Sequence, residues 1–212
     1  MIEVLKDKKV LGIFAHADDE IVAGWPIFQD ESIDRTLVIM CDDVKRKGQG
    51  RIIALQEVCK VFNIRLFCAG NLDTEFYRLP TRYDDFVLTD ALRLILSIIT
   101  QAVLDVKPDY IMTHNPVGEY GHGDHRLLFE MVTQRSDVTP VIITDLCEEN
   151  SCHRSSKYIP DSIAYAYYDG MHQYDVKMNN FYEKGMNIYR KYGAWTWKNE
   201  LPNVNSCKLY IP

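Results

Sequence analysis

Apolar runs of strand length alternate along the chain with segments of helical periodicity. The run at 9–15 (KVLGIFA) has the continuous apolar character of a strand buried on both faces. A short helix is predicted at 20–28, then a β-branched strand at 35–41 (RTLVIMC). Residues 50–62 place Ile53, Leu55, Val58 and Phe62 at helical spacing, and 64–68 reads as a third strand. Residues 88–106 form the longest amphipathic pattern, with Leu92, Ile95, Leu96 and Ile99 on one face; it stops before Pro108. A strand at 110–113, a helix at 124–134 and a strand at 140–146 follow. A sixth strand is predicted at 163–168 and a closing helix at 174–192, with 147–162 as a long surface loop.

Strands alternating with helices of this length imply βαβ units. The fold class is therefore α/β, a Rossmann-like three-layer α/β/α arrangement with a mostly parallel central sheet. No repeat, low-complexity tract or linker divides the chain, so residues 1–212 are expected to form one domain. Parallel sheets bind ligands beyond the carboxyl ends of their strands. Two polar clusters fall there: Ala15-His16-Ala17-Asp18-Asp19-Glu20 after the first strand, and Gly118-Glu119-Tyr120-Gly121-His122-Gly123-Asp124-His125 after the fourth. The topology predicts that they meet.

Composition narrows the partners. With 47% apolar and 25% charged residues, the chain reads as an ordinary globular protein. A net charge of −6 argues against a nucleic-acid groove and against a polybasic membrane anchor. No apolar run approaches the roughly 20 residues of a spanning helix. The first residues resemble no signal peptide, so a cytoplasmic location is the expectation. Among the cysteines, Cys41, Cys59 and Cys68 lie in apolar stretches and behave as small hydrophobes. The segment Cys147 to Cys152-His153 is read as a loop rather than a second metal site, because its spacing fits no common one.

Histidines and carboxylates gathered at strand ends suit a divalent metal better than a core. Asp18 and Asp19 are adjacent, so their side chains diverge: one can face a metal and the other a neighbouring water. His122 and His125 stand three apart at a helix start, on one side of the first turn. Two histidines and one carboxylate leave a coordination position open, as in catalytic zinc sites. Each cluster alone has a plain alternative. Asp18-Asp19-Glu20 would serve as an acidic helix start, and His16 as a satisfied histidine at a strand end. His114 is read as orienting its loop, and His153 and His172 as surface residues.

The paired motifs AHADDE and HNPVGEYGHGDH closely resemble the PIG-L/LmbE-like deacetylases over roughly residues 9–135. That family removes acetyl groups from N-acetylglucosaminyl compounds with a zinc ion, although Fe²⁺ is another candidate metal here. The resemblance implies His16, Asp19 and His125 as metal ligands. It implies Asp18 as the general base that activates water. His122 would stabilise the oxyanion, as the protonated partner in one version. Tyr120 would polarise the amide carbonyl or protonate the leaving amine, and Asp124 would orient His122 or His125. Arg51 and Asp73 resemble positions that contact the sugar. The implied partner is a small N-acetyl sugar or glycoconjugate; oligomeric state is left open. Two departures stand out: Ala17 replaces the usual proline, which loosens the turn, and Ala54 stands where glutamate is common.

Other readings are an iron oxygenase with a two-histidine, one-carboxylate triad, a metal phosphoesterase, and a non-catalytic sugar binder. The first leaves Asp18 without a role. The aromatic residues Tyr165, Tyr167, Tyr168, Tyr189, Tyr192, Trp195 and Trp197 would form either a sugar-facing wall or part of the core. Lys45-Arg46-Lys47 with Arg51 is a basic patch, or a solvated loop.

Overall fold

The computed structural model describes residues 2–41, 49–72, 86–134, 139–146, 167–197 and 205–212. Lys45, Arg46, Lys47, Asp73, Cys147, Cys152, His153 and Tyr165 lie outside these residues.

The parallel half of the sheet contains β1 (Lys9–His16), β2 (Asp34–Cys41), β3 (Arg65–Leu72), β4 (Tyr110–Met112) and β5 (Val141–Thr144). Two further strands, β6 (His172–Lys177) and β7 (Ser206–Ile211), complete the order β3-β2-β1-β4-β5-β7-β6. Strands β1 to β5 pair in parallel, whereas β7 runs antiparallel to both β5 and β6. Residues 10–16 of β1 and 35–41 of β2 are buried throughout, which is why neither strand shows a polar alternation.

Among the described residues the helices include α1 (Asp19–Val22), α2 (Trp25–Phe28), α3 (Gly50–Val61), α4 (Phe86–Val106), α5 (Gly123–Thr133) and α6 (Phe181–Lys191). Two apolar clusters flank the sheet. One joins Phe14, Phe28, Leu37 and Leu55 with Phe181 and Tyr189 of α6. The other joins Ile13 and Val38 with Ile95 and Ile99 of α4 and Phe129 of α5. This is the mixed α/β fold, sheet mostly parallel, that the pattern predicts.

Four elements differ from the sequence expectation. The helix at 20–28 is broken into α1 and α2 around Ala23 and Gly24. Residues 174–177, read as the start of a helix, belong to strand β6 (His172–Lys177). Only Val176 of β6 is buried, so this edge strand carries no apolar alternation to announce it. Strand β7 was not anticipated, although Cys207, Leu209 and Ile211 alternate as buried positions with exposed Ser206 and Lys208. Of the strand expected at 163–168, residues 163–166 lie outside the described ones, and Tyr167 and Tyr168 are helical.

The strand order reverses direction between β1 and β4. That switch point opens a crevice beyond the carboxyl ends of both strands. His16 is the last residue of β1, and His114 lies two residues past the end of β4.

Candidate metal centre and active site

The chain leaves β1 through a turn held by its own acidic side chains. The His16 amide donates to Asp19 Oδ2 at 2.8 Å, and the Asp18 amide donates to Glu20 Oε2 at 3.0 Å. Such bonds replace a backbone turn around Ala17. Asp18 itself has φ +117°, an uncommon conformation for a residue with a side chain. Glu20 braces it and is braced in turn: Tyr189 of α6 donates to Glu20 Oε1 at 2.7 Å.

Past β4, residues 114–122 fold around a fully buried carboxylate. Glu119 Oε2 contacts His114 Nδ1 at 2.9 Å and His125 Nδ1 at 2.6 Å, while Oε1 accepts the Asn115 amide at 3.1 Å. Asn115 Oδ1 accepts the Glu119 amide at 2.8 Å. Burial works against the Glu119 charge, but His114 and His125 outweigh it and hold the carboxyl at about 2. His122 then caps α5, its Nδ1 accepting the Asp124 amide at 3.2 Å.

These segments bring three atoms into a near-equilateral triangle. His16 Nδ1 to Asp19 Oδ2 is 3.4 Å, His125 Nε2 to Asp19 Oδ2 is 3.4 Å, and His16 Nδ1 to His125 Nε2 is 3.3 Å. A tetrahedral ion with bonds of roughly 2.0–2.1 Å spaces its ligands about 3.3–3.4 Å apart. The donor set therefore fits a zinc ion. Each histidine also has a carboxylate behind it: Asp124 Oδ2 lies 2.9 Å from His16 Nε2, and Glu119 backs His125. With the outer nitrogen donating to a carboxylate, the inner nitrogen keeps its lone pair for a metal.

Two more histidines are near enough to be weighed. Asp19, His114 and His125 can bring ligand atoms within 4.8 Å of one another, as can His16, His122 and His125. His114 Nε2 is 3.4 Å from Asp19 Oδ2, but its lone pair accepts the Ala15 amide at 3.0 Å. That leaves His114 as a buttress, its ring stacked on His125 at 3.8 Å. Burial, then the nearby His125 and His16, push His122 down to about 3. It is neutral at pH 7, and because Nδ1 accepts a hydrogen bond, the ring proton sits on Nε2.

Asp18 lies beside the triangle. Its Oδ2 takes Arg51 Nη2 at 2.6 Å and the Thr196 hydroxyl at 3.2 Å. Burial raises its pKa and the Arg51 charge pulls part of the way back; the net shift is upward. Tyr120 stands edge-on to His125 at 5.2 Å and to Trp197 at 4.8 Å. Burial and the surrounding carboxylates lift its hydroxyl well above the usual range, so it stays protonated.

The family model described as PIG-L, GlcNAc-PI de-N-acetylase, matches residues 11–136, more than half of the chain. This chain belongs to the PIG-L family. The match covers both halves of the metal triangle. Among solved structures, the PIG-L chain is similar to the A40926 pseudoaglycone deacetylase Dbv21, at 12% identity and TM-score 0.63, covering 97% of this chain and 96% of that one. It is similar to a deacetylase in complex with teicoplanin from the teicoplanin pathway, at 10% identity and TM-score 0.64, covering 96% and 97%. A third relative is the zinc-inhibited form of teicoplanin deacetylase Orf2, at 9% identity and TM-score 0.62, covering 96% and 97%. At such identities the likeness shows the fold. No curated protein matches the chain.

Of the predicted site residues, His16, Asp18, Asp19, Tyr120, His122, Asp124 and His125 come together in the PIG-L protein. Three details differ from the expectation. Asp124 contacts His16 rather than serving His125, and it lies 3.9 Å from His122 Nδ1. Arg51 bonds to Asp18 Oδ2 and to the Thr196 hydroxyl. His122 is neutral rather than protonated. Glu119 and Thr196 were not assigned roles. Glu119 sits inside the second motif, so its place among histidines was the available signal; Thr196 had none. Of the aromatic cluster, Trp197 reaches the site, whereas Tyr189 is core, Tyr167 packs on Phe129 and Tyr168 on Tyr210.

Glu20 gives the site a pH signature. Burial pushes its carboxyl up to about 8 from an ordinary 4.5. The folded chain thus binds more protons than the unfolded one between those values, and stability falls as pH rises through that window. Chemical denaturation from about pH 5 to about 8.5 should show this loss in the wild type and a flatter profile in Glu20→Gln. Parallel profiles would remove Glu20 as the source.

Proposed function

We propose that the protein is a zinc-dependent hydrolase that removes the acetyl group from an N-acetylated amino sugar or its conjugate. The observation that carries this reading is the triangle of His16, Asp19 and His125 with the Asp18 carboxylate at its side. Family membership and the deacetylase relatives support it.

A zinc ion held by those three residues would polarise the amide carbonyl and acidify a water molecule. Asp18 takes the proton from the attacking water, and its upward-shifted pKa suits a base working near neutrality. The two bonds from Arg51 and Thr196 both fall on Oδ2, so the proton goes to Oδ1. Water oxygen bonds to the carbonyl carbon as the carbonyl π pair moves to oxygen. His122, through its Nε2–H, and the protonated Tyr120 donate to that oxygen. The C–N bond then breaks, the proton held by Asp18 passes to nitrogen, and acetate and a free amine leave. Asp124 and Glu119 hold His16 and His125 in register throughout.

Acetate release from N-acetylglucosamine and its glycosides tests the reading, with zinc present and after chelation. Release that chelation abolishes and zinc restores is the expected result. No release from any N-acetyl sugar by the zinc-loaded protein would reject it, and zinc-independent release would reject the metal assignment.

A further inference from the structure

Helix α6 buries every fourth residue. Phe181, Gly185 and Tyr189 are its buried positions, while Glu183, Lys184, Arg190 and Lys191 are exposed. A step of four keeps side chains on one face of a helix. At one end of that face, Phe181 rests on Phe62, just past α3, with ring centroids 4.4 Å apart. In the middle, Gly185 lets α6 approach α1 closely. A Cβ there would stand 2.2 Å from Ile21 Cδ1, and Ile21 is itself fully buried. At the other end, the fully buried Tyr189 is thereby set against the turn that follows β1, its ring 6.2 Å from that of Trp195.

The Tyr189 hydroxyl donates to Glu20 Oε1 at 2.7 Å, and Glu20 Oε2 accepts the Asp18 amide at 3.0 Å. From the other side, the Asp18 carbonyl accepts the Ile21 and Val22 amides, both at 2.9 Å. Both peptide groups that flank the Asp18 Cα are therefore held. Between them lies φ +117°, a conformation that persists only where the surroundings over-determine it. Packing alone does not call for a carboxylate at position 20. A fully buried glutamate gives up its hydration, and an apolar residue would fill the space at less cost. What the carboxylate adds is an acceptor for the Asp18 amide. What Tyr189 adds is a donor that fixes the rotation of that acceptor.

We infer that Tyr189 is a positioning residue for Asp18: acting through Glu20, it fixes the backbone from which the Asp18 carboxylate is aimed beside the metal triangle. This rests on the hydrolase reading above, in which Asp18 is the base. Arg51 and Thr196 hold Oδ2 at the far end of that side chain. Tyr189 and Glu20 hold the end where it starts. A small turn of the Asp18 backbone would swing Oδ1 away from its proton, and proton transfer depends on that geometry. Tyr189 and the whole of α6 lie outside the family-matched residues 11–136. The last part of the chain thus supplies part of the alignment of a residue carried in the first motif.

Tyr189→Phe keeps the ring and removes the hydroxyl. In the zinc-loaded protein it should lower kcat for acetate release about 3–10-fold, the weight of one modest hydrogen bond, with KM and zinc content unchanged. In an Asp18→Asn background the same substitution should leave the residual rate as it was, because the base through which Tyr189 acts is gone. Glu20→Met, which removes the carboxylate, should show the same loss and the same dependence on Asp18. Equal losses in both backgrounds would mark an effect on stability and overturn the inference. An unchanged kcat, or a rise in KM alone, would overturn it too. A second readout needs no turnover. The Asp18 amide hydrogen should exchange about 3–10-fold faster in metal-free Tyr189→Phe than in the wild type, while the amides of β2 keep their rates. Equal exchange at Asp18, or the same acceleration in β2, overturns the inference. If the wild type releases no acetate, the hydrolase reading fails, and the exchange comparison alone decides whether Tyr189 holds Asp18.

Discussion

Asp18→Asn in the zinc-loaded protein is expected to lower the rate of acetate release by about 10²–10⁴-fold, the usual contribution of a positioned general base. Zinc content should not change, because Asp18 is not a corner of the His16–Asp19–His125 triangle. Asparagine is the informative replacement. Its carbonyl oxygen still accepts the Arg51 bond, so the buried guanidinium keeps a partner. Asp18→Ala would strip that partner and cost about 3–5 kcal/mol of stability, mixing a folding defect with a catalytic one. Steady-state kinetics beside metal analysis separate the two. Near-normal turnover in a zinc-loaded Asp18→Asn protein would refute the general-base assignment.

Glu119 carries the second large effect. Its carboxylate is the acceptor that turns His125 so that Nε2 faces the triangle, and the same oxygen anchors the His114 ring stacked on His125. Glu119→Gln should weaken zinc binding by about 10–100-fold, the range for losing a carboxylate behind a metal-bound histidine. Competition against a chelator of known affinity measures this directly. Glu119→Ala should also lower the melting temperature of the metal-free protein, because two buried ring nitrogens lose their acceptor. Wild-type zinc affinity in Glu119→Gln would mean that packing against His114 alone orients His125.

The contrast between Asp19 and Glu119 explains how far the sequence could be read. His16, Asp19 and His125 follow strands whose buried apolar runs are unmistakable, and a parallel sheet brings its strand ends together. The meeting of the two polar clusters was thus legible without coordinates; which of their members would hold a metal came from the resemblance to the PIG-L/LmbE-like deacetylases. Glu119 depends on a left-handed backbone of φ +53°, and on side chains that fold back within one loop. No hydrophobic period records such a loop. Asp124 reaches across to β1 rather than along its own helix, so neighbours in sequence misdirect the pairing. Thr196 arrives from the segment beyond α6, where the chain turns at Gly193. The fold shows the same division. β1 and β2 are announced by burial on both faces, whereas β6 rests on one buried valine and a partner found only at 206–211.

The place of β7 in the sheet has a consequence for synthesis. Strand β5 is buried along its whole length, and among the described residues the edge that faces away from β4 is covered by residues 206–211. Until those residues are made, the nascent chain presents an apolar strand with unpaired amides and carbonyls, the kind of edge that recruits a second chain. β6 is made before β7 yet has no seat in the sheet without it. Folding at this edge therefore waits on the ribosome. Intermediates stalled before residue 206 should be the aggregation-prone ones, and a chaperone that holds β5 would raise the yield of folded protein.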